Sequence, residues 1–490
     1  MNYEIRYSKL NERQKQAVNT IEGPVMVVAG PGTGKTELLS MRAANILRRT
    51  DMLPENILCL TFTESGSIAM QKRLVDIIGR EAYGVSVFTF HAFGSEIISR
   101  YREYFYNGAD FNPADELTRH KIITDILQEL PPKNPLKTMM NGEFTSVGMI
   151  ISAISDIKRA GLEPKELTAI LDANDEVIDI AEPLLIEAFS ARVNKNTFDK
   201  LASVSESLAK INEPQPIPTI SRLSDILRAS LKHSLEEASE HPKITPPLTK
   251  WRTNWMTKSE AKKPIMTARK QQIKLRALVD IYEKYLENMQ SAKLYDFDDM
   301  ISQVVHAIEQ NPSLQAELQE KYQYIMVDEF QDTNHAQMRI LHALTNNPAN
   351  EGNPNLMVVG DDDQAIYSFQ GADIGNILDF KKHYKNAKLI TLIDNYRSAE
   401  CILTAAREVI TQGSERLENR IDELDKNLSP HALPEKPNAE IVTLPSEGSE
   451  REWIARDIKD KLKNGQNPGD IAILARRHTC LLYTSDAADE

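Results

Sequence analysis

The chain has 490 residues, 41% of them hydrophobic and 26% charged, so it can build sizeable cores in about two to four domains. Lys and Arg total 58 against 71 Asp and Glu, a formal charge of −13; this excludes a uniformly basic, histone-like binder but leaves room for a local positive groove. Cys59, Cys401 and Cys480 are too few and too dispersed for a disulfide framework or a zinc knuckle, no run approaches a membrane span, and MNYEIRYSKL lacks a signal-type apolar stretch, so a reducing, cytoplasmic setting is expected.

The first informative element is PVMVVA, Pro24 to Ala29, a continuous apolar run that fits a buried parallel strand. GPGTGKT follows at Gly30 to Thr36, and a helical pattern then runs from Glu37 to about Arg48. Strand, glycine loop and helix form the context of a phosphate-binding loop. Gly30, Gly32, Thr33 and Gly34 let the backbone wrap an anion, Lys35 reaches its terminal phosphates, and Thr36 is placed to ligate magnesium. Ala29 stands where the strict pattern has its first glycine.

Residues 94 to 315 carry repeated helical periodicity, around 113–128, 147–160, 165–173, 218–236 and 270–290, broken at ELPPKNP, EPQPIP and HPKITPPLTK. Between His241 and Arg276 there are ten Lys or Arg and one acid, Glu260, with Trp251 and Trp255 among them. Such a stretch suits either a nucleic-acid contact or a solvated helical face. In YDFDDMI, Tyr295 to Ile301, the acids are placed to cap a helix or order a domain junction.

A second strand-like run, Tyr324 to Val327, ends in Asp328 and Glu329. Open parallel sheets bind ligands at the carboxyl ends of their strands. There, Asp328 suits a magnesium shell and Glu329 a water-activating base. About 290 residues separate Thr36 from Asp328, so something large is inserted into the first domain. Further on, Gln364 follows three aspartates after the run Leu356 to Val359, and NYRS spans Asn395 to Ser398.

Taken in order, these segments resemble superfamily 1A DNA helicases of the UvrD/Rep/PcrA type, from about residue 8 to about 476. Leu10, Asn11 and Gln14 resemble the Q motif, and AGPGTGKT resembles motif I. TFTESGSIAMQKRL and TFHAF resemble the motif Ia region, VDEFQDTN motif II, VGDDDQAIYSFQGAD motif III and NYRS motif IV. The resemblance implies an α/β fold: a RecA-like motor domain 1A at 1–93 and 316–397, and a helical 1B-like insertion at 94–315. A partial RecA-like domain 2A at 398–480 and a non-native tail at 481–490 complete the expected arrangement.

It implies that ATP and magnesium are bound, that Gln14 reads adenine, that Tyr396 stacks on the base, and that Gln364 and Arg397 contact the γ-phosphate. It further implies that Thr61, Phe62, Thr63, Thr89, His91, Tyr367 and Phe369 face single-stranded DNA. The implied activity is ATP-dependent 3'-to-5' translocation or unwinding, in repair or replication, on single strands and single-strand/duplex junctions. A translocase that strips proteins from DNA and a non-catalytic DNA-binding ATPase relic are the alternatives.

Departures from the family pattern are Glu37 for an arginine, Glu64 for an asparagine, Phe369 for a tryptophan and Gln370 for an arginine. Ser398 to Ile410 and GSEREWIARDIKDKL are expected helices, and IVTLPS and PGDIAILARR are expected strands. Family motifs V and VI and a 2B insertion do not follow, so a truncated reading frame is expected to have produced the chain, and the fragment is expected to lack full unwinding activity.

Overall fold

The computed structural model describes residues 2–105, 111–211, 213–217, 220–241, 243–259, 261–366, 375–413, 416–421, 424–431 and 440–475. The chain forms two compact units, one of Met1–Ser398 with Arg407–Ala432 and one of Ala399–Ala406 with Leu433–Glu490.

The first unit is built on the strands β1 (Val25–Ala29), β2 (Ile57–Thr61), β3 (Ser86–Thr89), β4 (Tyr324–Val327), β5 (Leu356–Gly360) and β6 (Lys388–Leu392). They make one six-stranded sheet in the order β6-β1-β5-β4-β2-β3. Every neighbouring pair is parallel. Side chains alternate across a strand, so a sheet covered on both faces needs apolar residues at every position. That is why these strands read as unbroken apolar runs. Met26, Val28, Leu58, Leu60, Ile325, Val327 and Val358 pack into one core, and Val25, Val27, Ile57, Cys59, Met326 and Val359 into the other. This is the expected α/β, RecA-like motor.

Helices α1 (Asn2–Ser8), α2 (Glu12–Asn19), α3 (Lys35–Arg49), α4 (Glu64–Ile78) and α5 (Phe90–Arg100) cover the N-terminal half. Thr63 caps α4 by accepting from the Gly66 amide at 3.0 Å, and Thr89 caps α5 by accepting from the Ala92 amide at 3.1 Å. Such caps each contribute about 1 kcal/mol.

The helical insertion runs through α6 (Glu116–Glu129), α7 (Val147–Arg159), α8 (Pro164–Ala188), α9 (Lys195–Leu208), α10 (Leu223–Glu240), α11 (Thr245–Trp255) and α12 (Thr267–Ser291). Each of the five periodic stretches carries a helix, with α6 beginning at Glu116 and α10 at Leu223. α8 runs on well past its periodic stretch, through Pro183. The insertion has two apolar cores, one around α6, α7 and α12 and one around α9, α10 and α11, with α8 contributing to both.

Packing redraws the expected borders of the insertion. α5 and α13 (Phe297–Gln310) bury Phe93, Ile97, Ile301, Val304 and Ile308 in the core of the motor sheet. They pack with the motor, although α13 and all of α5 after Phe93 lie inside 94–315. α14 (Pro312–Lys321) buries Leu314 and Leu318 in the same core. From α15 (His335–Thr345), Arg339 ties motor to insertion, with Nε 3.0 Å from Glu309 Oε1 and Nη2 3.1 Å from Glu166 Oε1.

The acids of YDFDDMI order this junction. Asp296 caps α13 in a reciprocal capping box with Asp299. Lys158, fully enclosed, lies 2.7 Å from Asp296 and 2.5 Å from Asp299. Tyr285 Oη donates to Asp296 at 3.0 Å. Burial and the charge of Asp296 push the Asp299 carboxyl up to about 6, against the pull of Lys158.

The basic stretch separates into two parts. Trp251 is buried, stacked on Phe189 at 6.1 Å and on Trp255 at 6.0 Å, and both tryptophan Nε1 groups donate to Ser230. Trp251 is core and Trp255 packs against it half-buried, so both rings serve the packing of the insertion. Arg269 pairs with Asp179 and Glu182, and Arg276 with Asp172 and Asp175. Lys262, Lys263 and Lys270 remain exposed.

After α16 (Gly375–His383) and β6, two short strands, β7 (Asp394–Asn395) and β8 (Ser429–Pro430), pair in parallel. The expected helices appear as α17 (Glu400–Ile410) and α18 (Glu447–Lys463). The two expected strands do not. IVTLPS is irregular, Pro468–Asp470 form a single 3-10 turn and 471–475 are irregular, with Ile441 98% and Leu474 95% exposed. A strand exists only through its ladder, and among the described residues no neighbouring strand pairs with either. Residues 481–490, the expected tail, lie outside the described residues.

Candidate functional site

The nominated residues that are described gather at one edge of the sheet. The loops leaving β1, β2, β3, β4, β5 and β6 carry, in turn, Gly30–Thr36, Thr61–Thr63, Thr89–His91, Asp328–Glu329, Asp361–Gln364 and Asp394–Arg397. This is the carboxyl edge, where parallel sheets bind ligands.

The glycine loop is held in shape from inside. Gly32 and Gly34 have φ of +72° and +85°, which a residue with a Cβ rarely adopts. Thr33 is buried and its Oγ1 donates to Gly30 O at 2.8 Å. Gln14 is also buried. Its Nε2 donates to Thr33 O at 3.0 Å and its Oε1 accepts from the Asn11 amide at 3.0 Å. Gln14 therefore braces the loop as well as standing beside it. α3 starts at Lys35, so the free amides of its first turn and the helix dipole face the loop's concavity.

Lys35 Nζ lies 2.6 Å from Glu329 Oε2, joining the ends of β1 and β4 across the intervening β5. Glu329 itself has φ of +50°, a left-handed backbone that costs on the order of 1–3 kcal/mol for such a residue. Its neighbour Asp328 is buried, and burial together with the Glu329 charge pushes that carboxyl up to about 6 while Lys35 opposes the rise.

Two residues with no role assigned from the sequence, Gln331 and Asp361, complete the link to β5. Gln331 Nε2 donates to Glu329 Oε2 at 2.9 Å, and Gln331 Oε1 accepts from the Asp361 amide at 2.9 Å. Asp361 Oδ2 in turn accepts from Gln364 Nε2 at 2.6 Å. A Cβ on Gly360 would stand 2.8 Å from Gln331 Oε1, so glycine there leaves room for the relay. Lys426 Nζ reaches Asp361, Asp362 and Asp363. Gln331 could have been suspected from VDEFQDTN, and the aspartates from their clustering. Lys426 carries no local signal at all.

The NYRS segment folds over the glycine loop. Tyr396 N donates to Gly32 O at 2.9 Å, and Asn395 Nδ2 donates to Pro31 O. Arg397 is exposed, with its Cβ 2.7 Å from where a Cβ on Gly32 would lie. The Tyr396 ring stacks on His431 at 5.4 Å, and its hydroxyl accepts from Asn11 Nδ2 at 3.1 Å. Glu37, the reversed charge, is met by Arg6 through two hydrogen bonds of 2.9 and 3.0 Å.

At the nucleic-acid candidates the picture is mixed. Thr61 and Thr89 are register partners on β2 and β3. Thr61 Oγ1 donates to Thr63 O at 3.0 Å, and the Thr63 and Thr89 hydroxyls cap helices, so all three shape the edge. Phe62 is half-buried. His91 is exposed and meets Phe297 edge-on at 6.5 Å. Tyr367, Phe369 and Gln370 lie outside the described residues.

Comparison with known proteins agrees with this arrangement. The UvrD/REP helicase N-terminal domain family matches residues 10–215 and 186–385, and the UvrD-like helicase C-terminal domain family matches 390–481. An ATP-dependent DNA helicase PcrA of Staphylococcus aureus strain Mu50 is 28% identical over 467 residues, covering 95% of this chain and 48% of that protein. A PcrA of Staphylococcus epidermidis strain ATCC 12228 is 27% identical over the same length. The chain thus spans about half the length of the curated relatives it matches. With two consecutive domain matches over a RecA-like sheet whose loops carry the residues nominated for nucleotide binding, the chain belongs to the UvrD/Rep helicase family.

Proposed function

We propose that this chain carries the first motor domain of an ATP-dependent, 3'-to-5' single-stranded DNA translocase or helicase. The reading places it in a cytoplasmic setting, on single strands and single-strand/duplex junctions, alongside repair or replication proteins. Among the described residues no helix is long and apolar enough to cross a membrane. The observation that carries the reading is the hydrogen-bonded relay Lys35, Glu329, Gln331, Asp361, Gln364, which Asp361 joins through its backbone amide and which ties three strand ends into one site.

The site's residues fit a magnesium nucleotide. The loop amides and Lys35 take the phosphates, and the Thr36 hydroxyl with the buried Asp328 carboxylate offers the hard oxygen donors that magnesium prefers. Asp328 is a carboxyl that its own surroundings resist ionising, so a cation beside it relieves a strained charge. Magnesium when bound neutralises charge on the phosphate oxygens. Glu329, released from Lys35 as that ammonium turns to phosphate, is free to orient and deprotonate the attacking water. Gln364, held by Asp361, and Arg397, on the segment over the loop, lie on the same edge to stabilise developing charge.

The direct test is ATP turnover by the chain with and without oligo-dT, beside strand displacement on a 3'-tailed duplex. DNA-stimulated turnover supports the motor, and displacement adds the helicase. Nucleotide and DNA binding without turnover would favour the relic.

Two substitutions probe the DNA side. Phe62→Ala should weaken oligo-dT binding by roughly 1–3 kcal/mol while nucleotide affinity holds, as expected for loss of a base stack. Fluorescence titration reads it, and unchanged affinity assigns Phe62 to packing. Neutralising Lys262, Lys263 and Lys270 together should flatten the log–log salt dependence of binding by about 0.7 for each phosphate no longer neutralised. An identical slope would leave these lysines on an idle face.

A further inference from the structure

The turn after β5 concentrates negative charge. Asp361, Asp362 and Asp363 are consecutive, and the first two are nearly enclosed, with side chains 1% and 2% exposed. Three carboxylates so close repel one another, and burial removes the water that would screen them. One ammonium answers all three. Lys426 Nζ lies 2.6 Å from Asp361 Oδ1, 2.6 Å from Asp362 Oδ1 and 2.7 Å from Asp363 Oδ2. Arg416 adds a paired interaction with Asp363, with Nε and Nη2 each at 2.8 Å, and the Leu417 amide donates to Asp362 at 2.8 Å. Burial alone would push the Asp363 carboxyl up; the hydrogen bonds from Arg416 and Lys426 outweigh it and hold the group below its ordinary value.

The clamp has a direction. Asp361 gives one carboxylate oxygen to Lys426 and the other to Gln364 Nε2, at 2.6 Å. Its amide meets Gln331, which holds Glu329. Lys426 and Arg416 both lie in the stretch matched by the family's C-terminal domain, whereas the aspartates lie in the stretch matched by the N-terminal domain. The clamp is therefore where chain from one matched domain grips the nucleotide edge of the other, within the first unit.

We propose that Lys426 is a positioning residue of the nucleotide site, fixing Asp361 so that Gln364 is held in one orientation, and thereby linking the segment after NYRS to hydrolysis. This rests on the reading of the site as an ATPase. Lys426 touches no nucleotide; it acts through Asp361. Without it, the turn from Asp361 to Gln364 carries uncompensated charge and Gln364 loses its fixed acceptor.

The test uses the 490-residue chain with Lys426→Met, Lys426→Arg, Gln364→Ala and the double variant Lys426→Met/Gln364→Ala. Amide hydrogen exchange over 361–366 is measured without nucleotide, with β1 as an internal control for folding. In Lys426→Met, exchange over 361–366 should rise by at least about tenfold while β1 stays protected. Lys426→Arg should recover part of that protection. With ATP, Lys426→Met should lower kcat by about tenfold or more while the Kd of a non-hydrolysable analogue changes less than about twofold, because a misplaced group costs rate before binding. In the Gln364→Ala background the same substitution should cost less than about twofold, since residues acting through one another do not add.

Unchanged exchange over 361–366 overturns the clamp. Full additivity of the two substitutions overturns the route through Gln364. If the unaltered chain shows no turnover, the ATPase reading fails separately, and the exchange measurement still decides whether Lys426 holds this turn.

Discussion

Lys35→Ala should abolish ATP turnover, and Glu329→Gln should leave nucleotide bound while stopping hydrolysis. The two side chains meet at 2.6 Å, yet they fail differently when changed. Lys35 is the one ammonium on the glycine loop, and in the proposed ATPase it is the charge that would meet phosphate as negative charge develops. Removing such a group costs on the order of 10²–10³ in rate, and binding of the terminal phosphate weakens with it. Glu329→Gln keeps the shape and the neighbour Gln331 but removes the base. It also frees Lys35 from a strong ion pair, so nucleotide affinity should hold or tighten. Steady-state turnover with oligo-dT, beside titration with a fluorescent nucleotide, separates the two. Turnover near the unaltered level in either variant would dismiss the assignment of Lys35 and Glu329.

Lys158→Met should destabilise the chain by roughly 3–5 kcal/mol at neutral pH, a magnitude typical of removing one partner from a buried ion pair. The substitution leaves Asp296 and Asp299 enclosed, with Arg119 at 3.7 Å from Asp296 as the nearest remaining cation of the cluster. Both carboxyls then lose the charge that favoured their ionised form. Asp299 already stands near 6 with Lys158 present, so both folded-state pKa values should lie well above the unfolded value in the variant. A carboxyl raised in this way stabilises the fold when protonated; the gain is complete below the unfolded pKa and gone above the folded one. The deficit should therefore shrink as pH falls from about 8 towards 5, and Tm of the variant should approach that of the parent. Thermal melts across that range test this. A pH-independent deficit would show that lost packing, and not uncompensated charge, sets the cost.

How much of this was legible from the chain alone depends on the range of the forces involved. Strand β1, the loop Gly30–Thr36 and helix α3 are written contiguously. Their apolar run, glycines and helical pattern specify a local conformation without reference to anything distant. The same holds for Asp328 and Glu329 at the end of β4, and for Asp296, whose capping box spans only four residues. The five helical stretches of the insertion were legible for the same reason, because one apolar face recurs every turn.

What lay beyond reach was the meeting of distant segments. Whether α5 and α13 belonged to insertion or motor depended on which core received Phe93 and Val304, and periodicity says only that a face is buried. Trp251 and Trp255 looked available to nucleic acid, but Phe189, at the end of α8, and Ser230, on α10, meet them. IVTLPS and PGDIAILARR carry strand composition, but composition cannot supply the neighbouring ladder that makes a strand. Lys426 is the clearest case. Nothing around it in sequence marks it, and its role comes from three aspartates more than sixty residues earlier. Local pattern determined the elements and the chemistry each loop could carry; the tertiary fold decided which charges met, because a buried ion pair is fixed by where the chain returns and not by its immediate neighbours.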